Sequence, residues 1–306
     1  MSQYSDFIRK AFGDSDRQRD AGLKTPAGIV RFDNISYGSH PEWNLLDVYR
    51  PKKAEGKLPV IAIIHGGAWV YGDKDVYQFY GMSLAQRGFA VVNLSYRLAP
   101  EYKYPAALED ICLAFKFIYA HEDEYGFDLN NLFAVGDSAG AHLLTVFSDL
   151  MTNPECRKAF KAQFPKAKLS LPKGMHLNAV ALNCGKYDLG KDIDLDPNAK
   201  FLIKDLLPKR GTKKEMELVS GDKFVTSKFP PAFVMTCPGD FIKEQAKYII
   251  EALTQNNVPF CYRYYGSEKN PLHHVFHCNV RLPEAKKCND DECAFFKEYI
   301  ISSFIV

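Results

Sequence analysis

The chain has 306 residues, 46% of them hydrophobic and 25% charged. That balance excludes disordered, collagen-like and coiled-coil proteins and supplies a large core. Lys and Arg number 39 against 37 Asp and Glu, a formal net charge of +2, so neither a nucleic-acid backbone nor an anionic membrane is expected as a partner. No apolar stretch approaches the ~20 residues of a membrane span. The first residues lack the basic and apolar regions of a signal peptide, and the expected location is the cytoplasm. Cysteines 112, 156, 184, 237, 261, 278, 288 and 293 are read as reduced thiols, because a long chain without an export signal is not a disulfide scaffold. The sequons at Asn34 and Asn93 are read as incidental, the second lying in an expected buried strand.

Residues 1–27 are polar, with Phe7, Ile8 and Phe12 at helical spacing. Residues 32–37 and 44–50 predict an antiparallel pair at one sheet edge. Short apolar runs follow at 59–64, ending at two glycines, and at 89–94. Leu108, Ile111, Cys112, Phe115 and Ile118 then form a 3.6-residue stripe with Pro105 in the first turn, which predicts a helix. The third run, 132–135, stops at Gly136, and a helix with Leu143, Val146, Phe147 and Leu150 on one face comes next. Runs at 179–182 and 232–235, a helix carrying Ile242, Ala246, Ile249, Ile250 and Leu253, a sixth run at 259–264 and a last helix near 290–303 complete the chain. Continuous apolar runs suit strands buried on both faces of a mostly parallel sheet. Their alternation with helices implies a doubly wound α/β sheet with helices on both faces. Residues 188–229 interrupt that alternation with many charges and scattered Phe201, Leu202, Ile203, Leu206 and Leu207. They are expected to form a helical cover over the C-terminal edge of the sheet, where open α/β folds bind ligands.

The sharpest chemical signal is Gly136-Asp137-Ser138-Ala139-Gly140, placed between a predicted strand and a predicted helix. In that context Gly-x-Ser-x-Gly is a nucleophile turn. The turn is too tight for side chains at the glycines, it exposes the serine hydroxyl, and the helix N-terminus favours a developing anion. His65-Gly66-Gly67-Ala68-Trp69 ends another buried strand. The N–H groups of Gly66, Gly67 and Ala139 are expected to hold the oxyanion of a tetrahedral intermediate. His65 and His142 are read as hydrogen-bonded structural residues. A serine hydroxyl needs an adjacent base, and in this arrangement the chain order is serine, acid, histidine. Asp240 follows the fifth run, and His273, His274 and His277 follow the sixth. Asp240 would orient the base, which takes the serine proton and later protonates the leaving group. The spacing of these histidines with Cys278, Cys288 and Cys293 matches no zinc pattern, so neither metal nor cofactor is expected.

With these residues stands a family resemblance. Leu46-Asp47-Val48-Tyr49-Arg50-Pro51, Ser95-Tyr96-Arg97-Leu98-Ala99-Pro100-Glu101 followed by residues 104–110, and His274-Val275-Phe276 resemble the bacterial hormone-sensitive-lipase-like esterases of the α/β-hydrolase superfamily over about residues 44–280. The resemblance selects His274 as the base. It implies one α/β-hydrolase domain over 1–306 with a small helical cap from about 1–27 and 188–229. It also implies a cofactor-free carboxylic ester hydrolase acting through Ser138, Asp240 and His274 on short acyl esters. Three departures add bulk near the expected pocket: Ala68 for a third glycine, Ala141 for a second glycine after the pentapeptide, and Val275 for glycine after the base. Ala68, Trp69 and Val275 are therefore expected to contact substrate. His-Gly-Gly-x-Trp also resembles the loop of kynurenine-formamidase-like hydrolases, which makes an arylformamidase the alternative. A binding protein on a hydrolase scaffold is a third reading, disfavoured because no triad member is lost.

Overall fold

Residues 60–64 alternate their side chains between two cores, as a strand's two-residue period requires. Val60, Ala62 and Ile64 pack on one face, and Ile61 and Ile63 on the other. All five are essentially inaccessible, and burying a Val or Ile side chain contributes ~1.5–3 kcal/mol. These are the central residues of an eight-stranded sheet in a computed structural model that describes residues 2–191 and 198–302. The strands are β1 (Ile29–Ser36), β2 (Leu45–Pro51), β3 (Leu58–Ile64), β4 (Ala90–Leu94), β5 (Phe127–Asp137), β6 (Ala179–Asn183), β7 (Ala232–Thr236) and β8 (Phe260–Tyr264). Their spatial order is β1-β2-β4-β3-β5-β6-β7-β8. The β1–β2 and β2–β4 pairs are antiparallel, and every later pair is parallel. This is the mostly parallel α/β sheet expected, with the antiparallel pair at its edge.

Two expectations are corrected. The sixth apolar run is not buried on both faces: among the described residues β8 pairs with β7 alone, and Tyr262, Arg263 and Tyr264 are exposed. The last helix spans Pro283–Glu298, opening earlier than expected at a proline suited to a first turn. Helices at Gln78–Ala85 and Pro154–Gln163 are additional.

Residues 3–20 fold into one helix capped by Ser2, whose side chain accepts the Ser5 N–H. Ile8 is buried on it, whereas Phe7 points outward and is 60% exposed. The Ser2 N–H, the Ser2 hydroxyl and the Ser5 hydroxyl converge on Asp205 Oδ2 at 2.9, 2.7 and 2.6 Å. Asp205 belongs to the helix Ala199–Leu206, which with Lys213–Val219 forms the helical part of the inserted segment. Leu202, Ile203 and Leu206 are buried there, while Phe201 is exposed; residues 192–197 lie outside the described ones. Arg9 donates to the Val70 and Ala99 carbonyls at 2.7 and 3.0 Å and to both oxygens of Glu101. The N-terminal helix is thus tied to the insertion and to the loop that follows β3. Among the described residues no helix is long and apolar enough to cross a membrane.

Candidate active site

The C-terminal ends of the parallel strands bring the predicted residues to one sheet edge. Ser138 follows β5 with φ 52° and ψ −116° and precedes the helix Ala139–Thr152. Such a conformation costs on the order of 1–3 kcal/mol and persists only where its surroundings enforce it. Enforcement comes from close backbone contact. A Cβ on Gly140 would lie 2.0 Å from the Ile64 carbonyl oxygen, and one on Gly136 2.5 Å from the Gly140 carbonyl oxygen. The Ser138 N–H is held by the Asn183 carbonyl at 2.9 Å.

His274 Nδ1 pairs with Asp240 Oδ1 at 2.7 Å. Asp240 is buried and also accepts from the Thr236 hydroxyl at 2.6 Å and the Ile242 N–H at 3.0 Å. Burial pushes its carboxyl up, but the hydrogen bond and charge of His274, with the Thr236 and Ile242 donors, outweigh it and hold the group below its ordinary range. Asp240 is therefore an anion at neutral pH and fixes the imidazole through Nδ1. Ser138 and His274 line one cavity of about 170 Å³ with Gly66, Gly67 and Val275. No hydrogen bond joins Ser138 to His274 among the described residues, a looseness common before a substrate tightens the site.

The oxyanion expectation needs one correction. The Gly66 N–H donates to the Tyr77 hydroxyl at 2.9 Å, and the Tyr77 hydroxyl donates to Asp137 Oδ2 at 2.6 Å. That amide holds the loop to the nucleophile turn and is not free for substrate. Gly67 lines the cavity, and Ala139 is the first residue of its helix, where an N–H has no partner within the helix. Burial raises the Asp137 carboxyl to about 6, against the downward pull of Tyr77, His274 and the Gly66 amide.

Of the expected substrate contacts, Val275 lines the cavity, whereas Ala68 and Trp69 do not. Trp69 is buried, and its indole N–H donates to His142 Nδ1 at 3.0 Å. The other nitrogen of His142 donates to the Val219 carbonyl at 2.7 Å, which is the structural role read from the sequence. His65 is likewise buried, paired with the Gly66 carbonyl and stacked on Tyr96. Val275 and Ala68 both have φ of 52°; these are the positions where the resembled family carries glycine, and a β-branched residue there is strained. His273 is exposed and His277 buried, so the triple-histidine segment does not converge on one point.

Sequence reasoning missed Tyr77, Asp137 and most of the outer wall. Phe12, Ser15, Asp16 and Arg19 of the N-terminal helix line the cavity, as do Tyr71 and Phe241. Arg19 bonds Asp16 at 2.9 Å, both oxygens of Asp20 at 2.7 Å, and the Val76 carbonyl at 2.6 Å. The Asp16 carboxyl also accepts from the Tyr71 hydroxyl at 2.9 Å. Burial pushes it up while Arg19 and Tyr71 pull it down, the net direction being upward. The polar spacing of residues 14–20 was the available signal, but it is the same as that of a solvated helix.

The strand order and the nucleophile turn define an α/β-hydrolase. Lactobacillus rhamnosis Esterase B, in an inhibited crystal form, superposes with a TM-score of 0.84 at 23% identity, covering 96% of this chain and 95% of that one. A family model, BD-FAE, matches residues 46–248. The chain belongs to the BD-FAE family, among the hormone-sensitive-lipase-like hydrolases that its motifs resemble. Esterase LipC of Mycobacterium tuberculosis is 30% identical over 230 residues, which is 72% of this chain and 54% of LipC. Carboxylesterase NlhH of the same organism is 29% identical over 251 residues, 79% of this chain and 76% of NlhH. The chain spans about half the length of LipC.

Proposed function

We propose that this chain is a serine carboxylic ester hydrolase for small acyl esters. The observation that carries the reading is the 2.7 Å Asp240–His274 pair, with His274 and Ser138 lining one cavity. His274 takes the Ser138 hydroxyl proton as Oγ bonds to the acyl carbon. The carbonyl electron pair moves onto oxygen, where the Gly67 and Ala139 N–H groups receive it, each such donor being worth about 3 kcal/mol in the transition state. Asp240 stabilises the imidazolium. The C–O bond then breaks, the leaving alcohol takes the proton from His274, and an acyl-serine remains. Water, deprotonated by the same base, releases the acid and restores the serine.

Val275 in the cavity wall, where the resembled family carries glycine, adds bulk and supports acetyl- to butyryl-sized acyl groups. The N-terminal helix acts as the cap, bordering the cavity with Phe12, Asp16 and Arg19, and the inserted helix that carries Asp205 holds it from behind. The test is hydrolysis of p-nitrophenyl esters from C2 to C10, with N-formylkynurenine alongside. The expected profile peaks at C2–C4, and Ser138→Ala loses at least ~10³-fold. A preference for the formamide by orders of magnitude, or equal turnover by Ser138→Ala, overturns the reading.

A further inference from the structure

A thiol stands beside the acid–base pair, and hydrolysis has no use for it. Cys184 follows β6 directly, with φ 45° and its N–H on the Met235 carbonyl at 2.8 Å. Ligand atoms of Cys184, Asp240 and His274 all lie within 4.8 Å of one another. Cys184 and Asp240 are buried, while the His274 side chain is 13% exposed and lines the substrate cavity, so the cluster is reached from that side. A second thiol, Cys237, contacts Cys184 and also the His273 carbonyl, the latter at 3.3 Å.

We propose that Cys184, His274 and Asp240 form an inhibitory site for a thiophilic divalent cation, Zn²⁺ foremost, which captures the acid–base pair. The effect on turnover rests on the esterase reading; the binding does not.

The donor set is one sulfur, one imidazole nitrogen and one carboxylate oxygen, the combination that Zn²⁺ accepts with a water in the fourth position. Zn–ligand bonds of ~2.0–2.3 Å place tetrahedral donors roughly 3.3–3.8 Å apart. The Cys184 sulfur therefore closes on the other two donors by at most about 1–1.5 Å. The His274–Asp240 contact, at 2.7 Å, opens by slightly less, so that the metal takes the place of the hydrogen bond. Binding expels the Cys184 thiol proton to solvent along with any proton on the ligating nitrogen. The metal-held imidazole no longer carries the Asp240 hydrogen bond that orients it, and Ser138 loses its base.

The experiment uses the full chain in a non-chelating buffer, with Zn²⁺ alone as inhibitor of p-nitrophenyl acetate hydrolysis and Co²⁺ alone as a spectroscopic probe. Wild type is expected to be inhibited reversibly, with recovery on adding EDTA, and to show a thiolate-to-cobalt charge-transfer band. Cys184→Ser is expected to hydrolyse the ester, to need at least ~10-fold more Zn²⁺ for half-inhibition, and to lose the band. Cys278→Ser is the counter-test, because Asp137, His277 and Cys278 form another buried donor group. It is expected to behave as wild type. Should Cys184→Ser fail to fold, Asp240→Asn read by cobalt affinity alone is expected to bind ~10-fold or more weakly. Equal inhibition of wild type and Cys184→Ser, relief by Cys278→Ser instead, or unaltered cobalt affinity in Asp240→Asn overturns the proposal. Hydrolysis without a Cys184-dependent band refutes the site and leaves the esterase; the band without any hydrolysis refutes the esterase and leaves the site.

Discussion

Tyr77→Phe removes one oxygen and tests whether the loop after β3 is held by the nucleophile turn. That oxygen accepts the Gly66 N–H at 2.9 Å and donates to Asp137 at 2.6 Å; Tyr77 is only 5% exposed, and all three residues border the substrate cavity. Each buried group left unpaired costs about 1–3 kcal/mol, and more when charged. Two groups are orphaned, so the expected destabilisation is roughly 2–6 kcal/mol. For a chain of this size that lowers Tm on the order of 3–9 °C. The Asp137 carboxyl, at about 6 with Tyr77 pulling it down, moves further up. Gly67 is next to Gly66, and a 1 Å displacement of a positioning group can cost ~10²-fold. The expected result is a 10- to 100-fold fall in kcat for p-nitrophenyl butyrate with KM within a factor of about three. Chemical denaturation and steady-state kinetics read both effects. A variant with wild-type stability and kcat within twofold refutes the clamp.

Asp240→Asn retains the shape but loses the anion that orients His274, and kcat is expected to fall on the order of 10⁴-fold with the fold intact by circular dichroism. A loss below tenfold would remove Asp240 from the mechanism. Glu292 is buried against the Tyr80 hydroxyl at 2.8 Å and Asn183 Nδ2 at 2.6 Å; burial raises it from 4.5 to about 7 despite both donors. A carboxyl whose folded value is raised favours the native state most when protonated. Its contribution, about 3 kcal/mol at ~1.4 kcal/mol per unit, is present at pH 4 and lost as pH rises towards 7. Glu292→Gln is expected to flatten urea-denaturation stability between pH 5 and 8. The Asn183 amide can turn over to pair with the new one, because its Oδ1 has no partner among the described residues. An unchanged pH slope contradicts this.

Strands such as β3 were legible because burial on both faces leaves an unbroken apolar run. β8 failed the same rule because an edge strand with an aromatic, partly polar composition has the run without the burial. The helix Gln78–Ala85 showed no stripe because Tyr80 through Ala85 are all buried, so no polar face marks its period. The helix Pro154–Gln163 carried a readable start in Asn153, which accepts from the Glu155 and Cys156 N–H groups. Ser138 and its turn are local in sequence and were visible. The commitment of the Gly66 amide was not, because it depends on Tyr77 and Asp137, which are 60 residues apart. The polar wall built by Asp16 and Arg19 was hidden for the same reason: only the packed structure turns those residues inward.

Covalent labelling reads the acting nucleophile directly. Wild type, Ser138→Ala and His274→Ala are treated with a serine-directed alkyl phosphonate, and the adduct is mapped by peptide mass spectrometry. The account predicts one phosphonyl group per chain on Ser138, none in Ser138→Ala, and labelling slowed by orders of magnitude in His274→Ala. An unlabelled wild type that still hydrolyses esters, or an adduct on a residue other than Ser138, contradicts it.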